Sequence, residues 1–110
     1  NGCKFEKFIF DLLPQANRIV VLAFDRREEF SPVKNAAGPD SPESCRRDLS
    51  AKWARWLRTA GVPVPLDEAG YPPVPVEIDP LYAHSAATLR ARLASSPPPD
   101  CSRPVWLRCP

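Results

Sequence analysis

The sequence predicts an α/β fold, and three observations lead to that class. Residues 5–16 repeat apolar side chains with the period of an α-helix, residues 19–24 form a short apolar run, and a second amphipathic pattern begins near Ser41. A helix next to a buried strand is typical of parallel sheets, whose faces are covered by crossover helices. The chain has 110 residues, which is enough for one small domain or for part of a larger one.

The first predicted element is an α-helix that ends or kinks near Leu13, because Pro14 has no N–H to donate and restricts the residue before it. Its apolar residues recur on one helical face. They are Phe5, Phe8, Ile9, Leu12, Leu13 and Ala16. Residues 19–24 follow, apolar throughout and rich in β-branched side chains, which predicts a strand covered on both faces.

Residues 25–37 have no apolar period and are interpreted as a loop, followed by a linker that Gly and Pro punctuate. The second predicted helix has the clearest boundaries. Ser41 suits its N-cap, Pro42 its first helical position, and Gly61 the position after its end. The expected apolar stripe consists of Cys45, Leu49, Trp53, Trp56, Leu57 and Ala60.

The rest of the chain is rich in proline, with 15 prolines in the whole sequence against four glycines. That composition predicts irregular segments around short elements. We expect a turn at residues 68–70, an edge strand within 74–78, a short helix within 85–94 and a terminal strand at 105–107.

Charge and cysteine content narrow the classes of function. A net charge of +2 is too small to indicate nucleic acid, and no apolar run approaches the length that a membrane span needs. The spacing of Cys3, Cys45, Cys101 and Cys109 does not fit a zinc knuckle. We interpret them as reduced thiols of a cytoplasmic protein, since the sequence carries no recognisable signal peptide.

Two motifs in the first third of the chain carry a family resemblance. The run Asn-Gly-x-Lys-x-Glu-Lys-Phe-x-Phe-Asp begins at Asn1, and the run Arg-x-x-Glu-Phe-Ser-Pro-x-Lys-Asn-Ala ends at Ala36. In this order, with a predicted strand between them, they resemble the late part of the eukaryotic UDP-N-acetylhexosamine pyrophosphorylases. Residues 77–81 (Glu-Ile-Asp-Pro-Leu) resemble that family's Glu-Ile-Ser-Pro-Leu, although the glycines that follow it there are absent here.

The resemblance implies a Rossmann-like nucleotidyltransferase core. Residues 1–36 would end its catalytic domain, and residues 37–110 would form a linker, a helix and a small proline-rich C-terminal domain. The implied reaction joins UTP and an N-acetylhexosamine 1-phosphate into the UDP-sugar and pyrophosphate. The implied cofactor is Mg²⁺, whose ligands would lie, with the family's glycine-rich nucleotide loop, in an N-terminal half that this chain lacks. We therefore interpret the chain as a fragment that is inactive without that half.

Four residues are predicted to contact the substrate. Lys34 follows a proline-fixed turn at the expected end of a strand, where its ammonium can neutralise a phosphate, and the resemblance implies the same contact. Lys4 precedes a predicted helix start, and the resemblance implies that it contacts the phosphates of the nucleotide. The resemblance also implies that Phe8 and Phe10 wall the N-acetyl-sugar pocket, since aromatic faces pack against methyl and C–H groups. Phe8 belongs to the apolar stripe of the first predicted helix and is expected to be a core residue with some exposure to the pocket. Phe10 is the better pocket candidate, because it lies off that stripe.

Neighbouring residues are expected to support this site. Arg26, Glu28 and Glu29 are interpreted as scaffold, and Ser31 and Pro32 as the turn that aims the lysine.

Two other functions stay open at this point. One is a non-catalytic chain, truncated or divergent, that binds a nucleotide sugar or a protein partner. The other is a basic interaction module that uses the cationic side of the second helix. That side consists of Arg46, Arg47, Lys52, Arg55 and Arg58. We interpret it as a solvated surface and expect no nucleic-acid partner, since no binding motif accompanies it.

Overall fold

A computed structural model describes residues 2–109 of the chain. The elements follow the order of a 3₁₀-helix, two α-helices, a strand, a third α-helix and a second strand. They are the 3₁₀-helix Ile9–Gln15, α1 (Arg26–Glu29), α2 (Pro42–Thr59), β1 (Val76–Ile78), α3 (Ala86–Leu93) and β2 (Val105–Leu107). In the described range, none of the helices has the length and apolar character to cross a membrane.

The hydrophobic core is built by α2, α3 and the sheet. β1 and β2 pair in parallel, with Val76 opposite Val105 and Ile78 opposite Leu107. α2 packs against both β1 and α3. The buried core side chains are Ala54, Leu57, Val62, Val64, Val76, Ile78, Ala83, Leu89, Cys101 and Val105. This small parallel sheet with helices packed around it is compatible with the predicted α/β class.

The predicted boundaries of α2 are confirmed. Ser41 caps the helix through a reciprocal pair of hydrogen bonds, in which the Ser44 N–H donates to Ser41 Oγ at 3.2 Å and the Ser41 N–H donates to Ser44 Oγ at 2.9 Å. Pro42 occupies the first turn, where no intrahelical partner awaits its missing N–H. Gly61 adopts a φ of +91° just after the helix end, a conformation that glycine reaches without a steric cost.

The buried face of α2 differs from the predicted stripe. Leu49 is 38% exposed, and Trp53 and Trp56 pack at the rim of the core, partly buried. The residues that are buried in this helix are mostly small: Ser50, Ala51, Ala54 and Leu57. Small side chains let β1 approach the helix closely enough for the Val76 N–H to donate to Ser50 Oγ at 2.8 Å. The predicted stripe therefore includes Leu57 but not the small residues Ser50, Ala51 and Ala54.

The short elements of the second half are confirmed. α3 begins after the N-cap Ser85, whose hydroxyl accepts from the Thr88 N–H at 3.1 Å, and its Leu89 is fully buried. Both strands lie where the sequence predicts them. The predicted turn is closed by the Gly70 N–H, which donates to the Asp67 carbonyl at 3.0 Å.

The first segment of the chain does not fold as the sequence predicts. Two predictions are wrong here, namely the α-helix that ends near Leu13 and the buried strand at residues 19–24. In their place are a 3₁₀-helix that includes Pro14 and a segment without strand pairing, and no residue from 2 to 24 is buried. An apolar helical stripe and a strand both need a neighbouring surface. Within the described residues, the 3₁₀-helix contacts no other helix or strand.

Candidate functional site

The second motif forms a loop that is docked on α2. We call residues 25–40 the motif loop. The sequence predicts it to be irregular, but it opens with the short helix α1, because Asp25 accepts a hydrogen bond from the Arg27 N–H at 2.9 Å and so caps the helix. α1 then packs against α2. The lysine of the motif is therefore attached to the folded part of the chain, although the segment before it is exposed.

Glu28 is the first anchor of the motif loop. Its Oε1 accepts a hydrogen bond from Arg55 Nε at 2.7 Å, and its Oε2 accepts one from Trp56 Nε1 at 3.2 Å. The Arg55 guanidinium also donates to the carbonyl of Arg27 at 2.8 Å. Hydrogen bonds between charged groups are stronger than those between neutral groups. The Glu28 and Arg55 side chains are also about two-thirds buried, which limits screening of their interaction by water. Glu28 is thus a scaffold residue, as predicted from the sequence.

Ser31 is the second anchor. Its hydroxyl donates to Asp48 Oδ2 at 2.7 Å, and its carbonyl accepts from the thiol of Cys45 at 3.4 Å. The other oxygen of Asp48 accepts from the Tyr71 hydroxyl at 3.2 Å. Each oxygen of the Asp48 carboxylate thus accepts one hydroxyl. Because Tyr71 holds Asp48 in place, the contact with Asp48 fixes Ser31 against α2.

The backbone of Lys34 is fixed by a tight turn. The N–H groups of Lys34 and Asn35 both donate to the carbonyl of Asp40, at 2.6 and 3.0 Å, and Asn35 Nδ2 donates to the Pro39 carbonyl at 2.7 Å. Gly38 and Asp40 have φ values of +78° and +54°, which lets the chain reverse. The Lys34 side chain is exposed. A lysine on a fixed backbone with an exposed ammonium can act as a positioned point charge for an anion.

The other predicted site residues lie in the exposed first segment. Lys4 is exposed and pairs with Glu6. Phe8 and Phe10 stack on each other with ring centroids 6.4 Å apart and an interplanar angle of 20°. Both rings are more than half exposed, so the assignment of Phe8 to a core stripe is wrong, although the two rings do form one aromatic surface.

The structure brings Phe8 and Phe10 together, and it ties the loop of Lys34 to α2. Within residues 2–109, no hydrogen bond or ion pair joins Lys4 or the two phenylalanines to Lys34. Asn1, the first residue of the first motif, lies outside the described residues. The same range contains no group of three or more His, Cys, Asp or Glu side chains that could hold a metal ion, so the residues present do not fit a Mg²⁺ site.

The residues that hold the loop are not predicted from the sequence in this role, and they are Asp48, Arg55 and Tyr71. A partial signal exists, because Asp48 and Arg55 are seven residues apart and therefore lie on one face of α2. Asp25 before a run of four charged residues is likewise a recognisable helix start.

The four cysteines are free thiols. Cys3 is exposed and Cys101 is buried. Burial raises the pKa of the Cys101 thiol, and the negative charge of Asp100 raises it further.

Comparison with known proteins finds several relatives. Over 107 residues the chain is 40% identical to the UDP-N-acetylhexosamine pyrophosphorylase-like protein 1 of Mus musculus, a match that covers 84% of this chain and 21% of that protein. It is 47% identical over 64 residues to a probable UDP-N-acetylglucosamine pyrophosphorylase of Dictyostelium discoideum, covering 56% of this chain and 13% of that protein. It is 40% identical over 96 residues to the UDP-N-acetylglucosamine diphosphorylase 2 of Arabidopsis thaliana, and this match covers 82% of this chain and 18% of that protein.

The chain spans about a fifth or less of the length of these curated relatives. No family model matches the chain. No solved structure matches it significantly.

Proposed function

Because the chain is a relative of the UDP-N-acetylhexosamine pyrophosphorylases and matches the C-terminal portion of that family, we propose that it serves in uridylyl transfer as part of a longer protein. The proposed reaction joins UTP and an N-acetylhexosamine 1-phosphate into the UDP-sugar and releases pyrophosphate. The proposed fold of the longer protein is a Rossmann-like nucleotidyltransferase domain, to which residues 1–36 contribute the end.

The observation that carries this proposal is the docking of the motif loop on α2, which gives Lys34 a fixed backbone and an exposed ammonium. In the proposed reaction, an oxygen of the sugar phosphate attacks the α-phosphorus of UTP, and the bond to pyrophosphate breaks. Both reactants are anions, so catalysis depends on positioning and on neutralisation of charge. We assign to Lys34 the neutralisation of phosphate charge, with Ser31 holding its loop in place.

Lys4, Phe8 and Phe10 complete the proposed site once the rest of the catalytic domain covers the first segment. Lys4 supplies a second cation for the nucleotide phosphates. The stacked rings of Phe8 and Phe10 supply an apolar surface for the acetyl group and the C–H face of the sugar. Mg²⁺ would supply further charge neutralisation from ligands outside this chain, and no step assigned to these residues depends on it.

The test is an assay of the longer protein with UTP and N-acetylglucosamine 1-phosphate, followed through release of pyrophosphate. Loss of one preorganised charge contact costs about 10²–10³ in turnover in comparable enzymes, and we expect Lys34→Ala to fall in that range. Lys34→Arg retains the charge and is expected to retain part of the activity. Arg58→Ala, on the exposed end of α2, serves as the control.

Unchanged turnover and unchanged KM in Lys34→Ala would remove Lys34 from the site. Absence of pyrophosphate release in the unmodified longer protein would instead reject the enzyme and favour the non-catalytic alternative, a chain that only binds a nucleotide sugar or a protein partner.

The 110-residue chain by itself is expected to be inactive, because residues 2–24 are exposed and the 3₁₀-helix within them contacts no other helix or strand of the described residues. Isothermal titration of this chain with UDP-N-acetylglucosamine is expected to give no heat of binding. Saturable binding would show that the segment holds a site alone, which would favour the binding-module alternative.

A further inference from the structure

We propose that a cleft beside α1 binds a small phosphorylated anion. The cleft lies between α1, α2 and the turn that precedes β1, and it has a volume of about 290 Å³. We call it the arginine cleft and define it by six of its lining residues, which are Arg26, Arg27, Phe30, Asp48, Arg55 and Tyr71. None of them is among the four residues assigned to the substrate above.

The charges that line the cleft favour an anion. The charged residues of the lining are three arginines and one aspartate, Asp48. Both oxygens of Asp48 already accept hydrogen bonds from hydroxyl groups. Arg55 is neutralised by Glu28. Arg26 and Arg27 form no ion pair within residues 2–109, where the ion pairs involve other cations. Two positive charges at the cleft are therefore without a carboxylate partner in the part of the chain that is described.

Aromatic stacking holds the Arg26 guanidinium in place. It lies 4.2 Å from the centroid of the Phe30 ring, and Phe30 also lines the cleft. A stacked guanidinium keeps its in-plane N–H groups free to donate, and this fork matches the oxygens of a phosphate. The preorganisation lowers the entropic cost of binding.

Size and shape limit the ligand to a small molecule. A volume of about 290 Å³ lies just below the usual range of ligand pockets, which is about 300–1,000 Å³. Leu66 and Ala51 give the cleft an apolar part beside the arginines. Pyrophosphate, or a compound with one phosphate and a small apolar body, fits this combination of charge and size.

The inference does not rest on the proposed function, since the test measures binding by the 110-residue chain and not turnover. Inorganic pyrophosphate is titrated into this chain by calorimetry at about 50 mM salt, where screening is weak. The arginine Nε–H resonances are followed by NMR in parallel. We expect saturable binding of one pyrophosphate, with shifts of the Arg26 and Arg27 resonances.

Matched variants then locate the site. Arg26→Gln and Arg27→Gln each remove a charge-assisted contact, and each is expected to weaken binding about tenfold. Arg26→Lys keeps the charge but loses the planar fork, and it should also bind more weakly. Arg58→Gln removes a cation from the same helix outside the cleft and should change the Kd by less than about twofold.

Several outcomes would overturn the proposal. They are absence of saturable binding, unchanged affinity in both Arg26→Gln and Arg27→Gln, and a loss in Arg58→Gln equal to theirs, which would indicate diffuse attraction to the basic helix. Sulfate that competes as well as pyrophosphate would also overturn it. Circular dichroism of each variant checks that α2 is intact, and Arg27→Gln leaves the stack on Phe30 untouched.

Discussion

Ser31 and Asp48 are joined by a 2.7 Å hydrogen bond across 17 residues of sequence. The bond connects a loop that lacks its own core to a helix that forms the core. Tyr71 donates to the other oxygen of the same carboxylate. A single side chain thus links the motif loop, α2 and the turn before β1.

Substitution of Asp48 by alanine is expected to destabilise the protein by about 1–3 kcal/mol, because two part-buried hydroxyl groups lose their acceptor. Urea denaturation followed by tryptophan fluorescence measures the loss. Arg46→Ala, at an exposed position of the same helix, is the control. Equal denaturation midpoints for the two variants would show that Asp48 does not anchor the loop.

Glu28 offers a second test with a close control. Glu28→Gln removes the charge that Arg55 and Trp56 contact, whereas Glu29→Gln removes a neighbouring exposed charge. Since the ion pair is about one-third exposed, solvent screening limits the expected loss to about 1 kcal/mol. Hydrogen exchange of the Phe30 amide, which donates to the Arg26 carbonyl, should accelerate in Glu28→Gln only. The same acceleration in Glu29→Gln would contradict the assignment.

Removal of residues 1–24 is expected to leave the free energy of unfolding unchanged within about 0.5 kcal/mol, the usual range for surface changes without partners. The reason is that none of residues 2–24 is buried and that, within residues 2–109, the 3₁₀-helix contacts no other helix or strand. Thermal denaturation of the chain from Asp25 onward, compared with the whole chain, provides the measurement. A large drop in Tm would mean that the first segment packs on the core.

The thiols should react in an order set by burial and pKa. Alkylation at mildly alkaline pH is expected to modify Cys3 first and Cys101 last, because burial raises the pKa of Cys101 and Asp100 raises it further. A folded-state pKa above the unfolded value stabilises the fold below the unfolded pKa, and this contribution disappears as pH rises through the folded pKa. Stability should therefore decline at alkaline pH. Mass spectrometry gives the order of labelling, and urea should abolish the difference.

Local chemistry explains which elements the sequence predicts well. Ser41 and Ser85 cap their helices through contacts with residues only three positions away, so each boundary can be read from a short stretch. Gly61 ends α2 for a similarly local reason. The prediction of a strand at residues 19–24 is wrong. A strand forms only beside another strand, and no local sequence pattern shows whether that neighbour is present.

The candidate site shows the same difference between residues in local sequence patterns and residues that are distant in sequence. The motif residues around Lys34 are recognisable from sequence, because they form one continuous run. The residues that hold this run in place are not recognisable from sequence, because Asp48 and Arg55 contact residues that are 17 and 27 positions away. Sequence patterns identify the group that faces a ligand more readily than the groups that hold it in place.

The exposed segment at residues 19–24 has a consequence for the handling of this chain. Its sequence, Ile-Val-Val-Leu-Ala-Phe, has no charge and no proline, and its Val20 and Val21 side chains are 88% and 89% exposed. Segments of this composition stack into cross-β fibrils when nothing covers them. Arg18 and Asp25 flank the segment as charged gatekeepers that oppose such stacking. Left without a covering domain, the chain is therefore expected to form amyloid-like aggregates at high concentration, nucleated at these six residues.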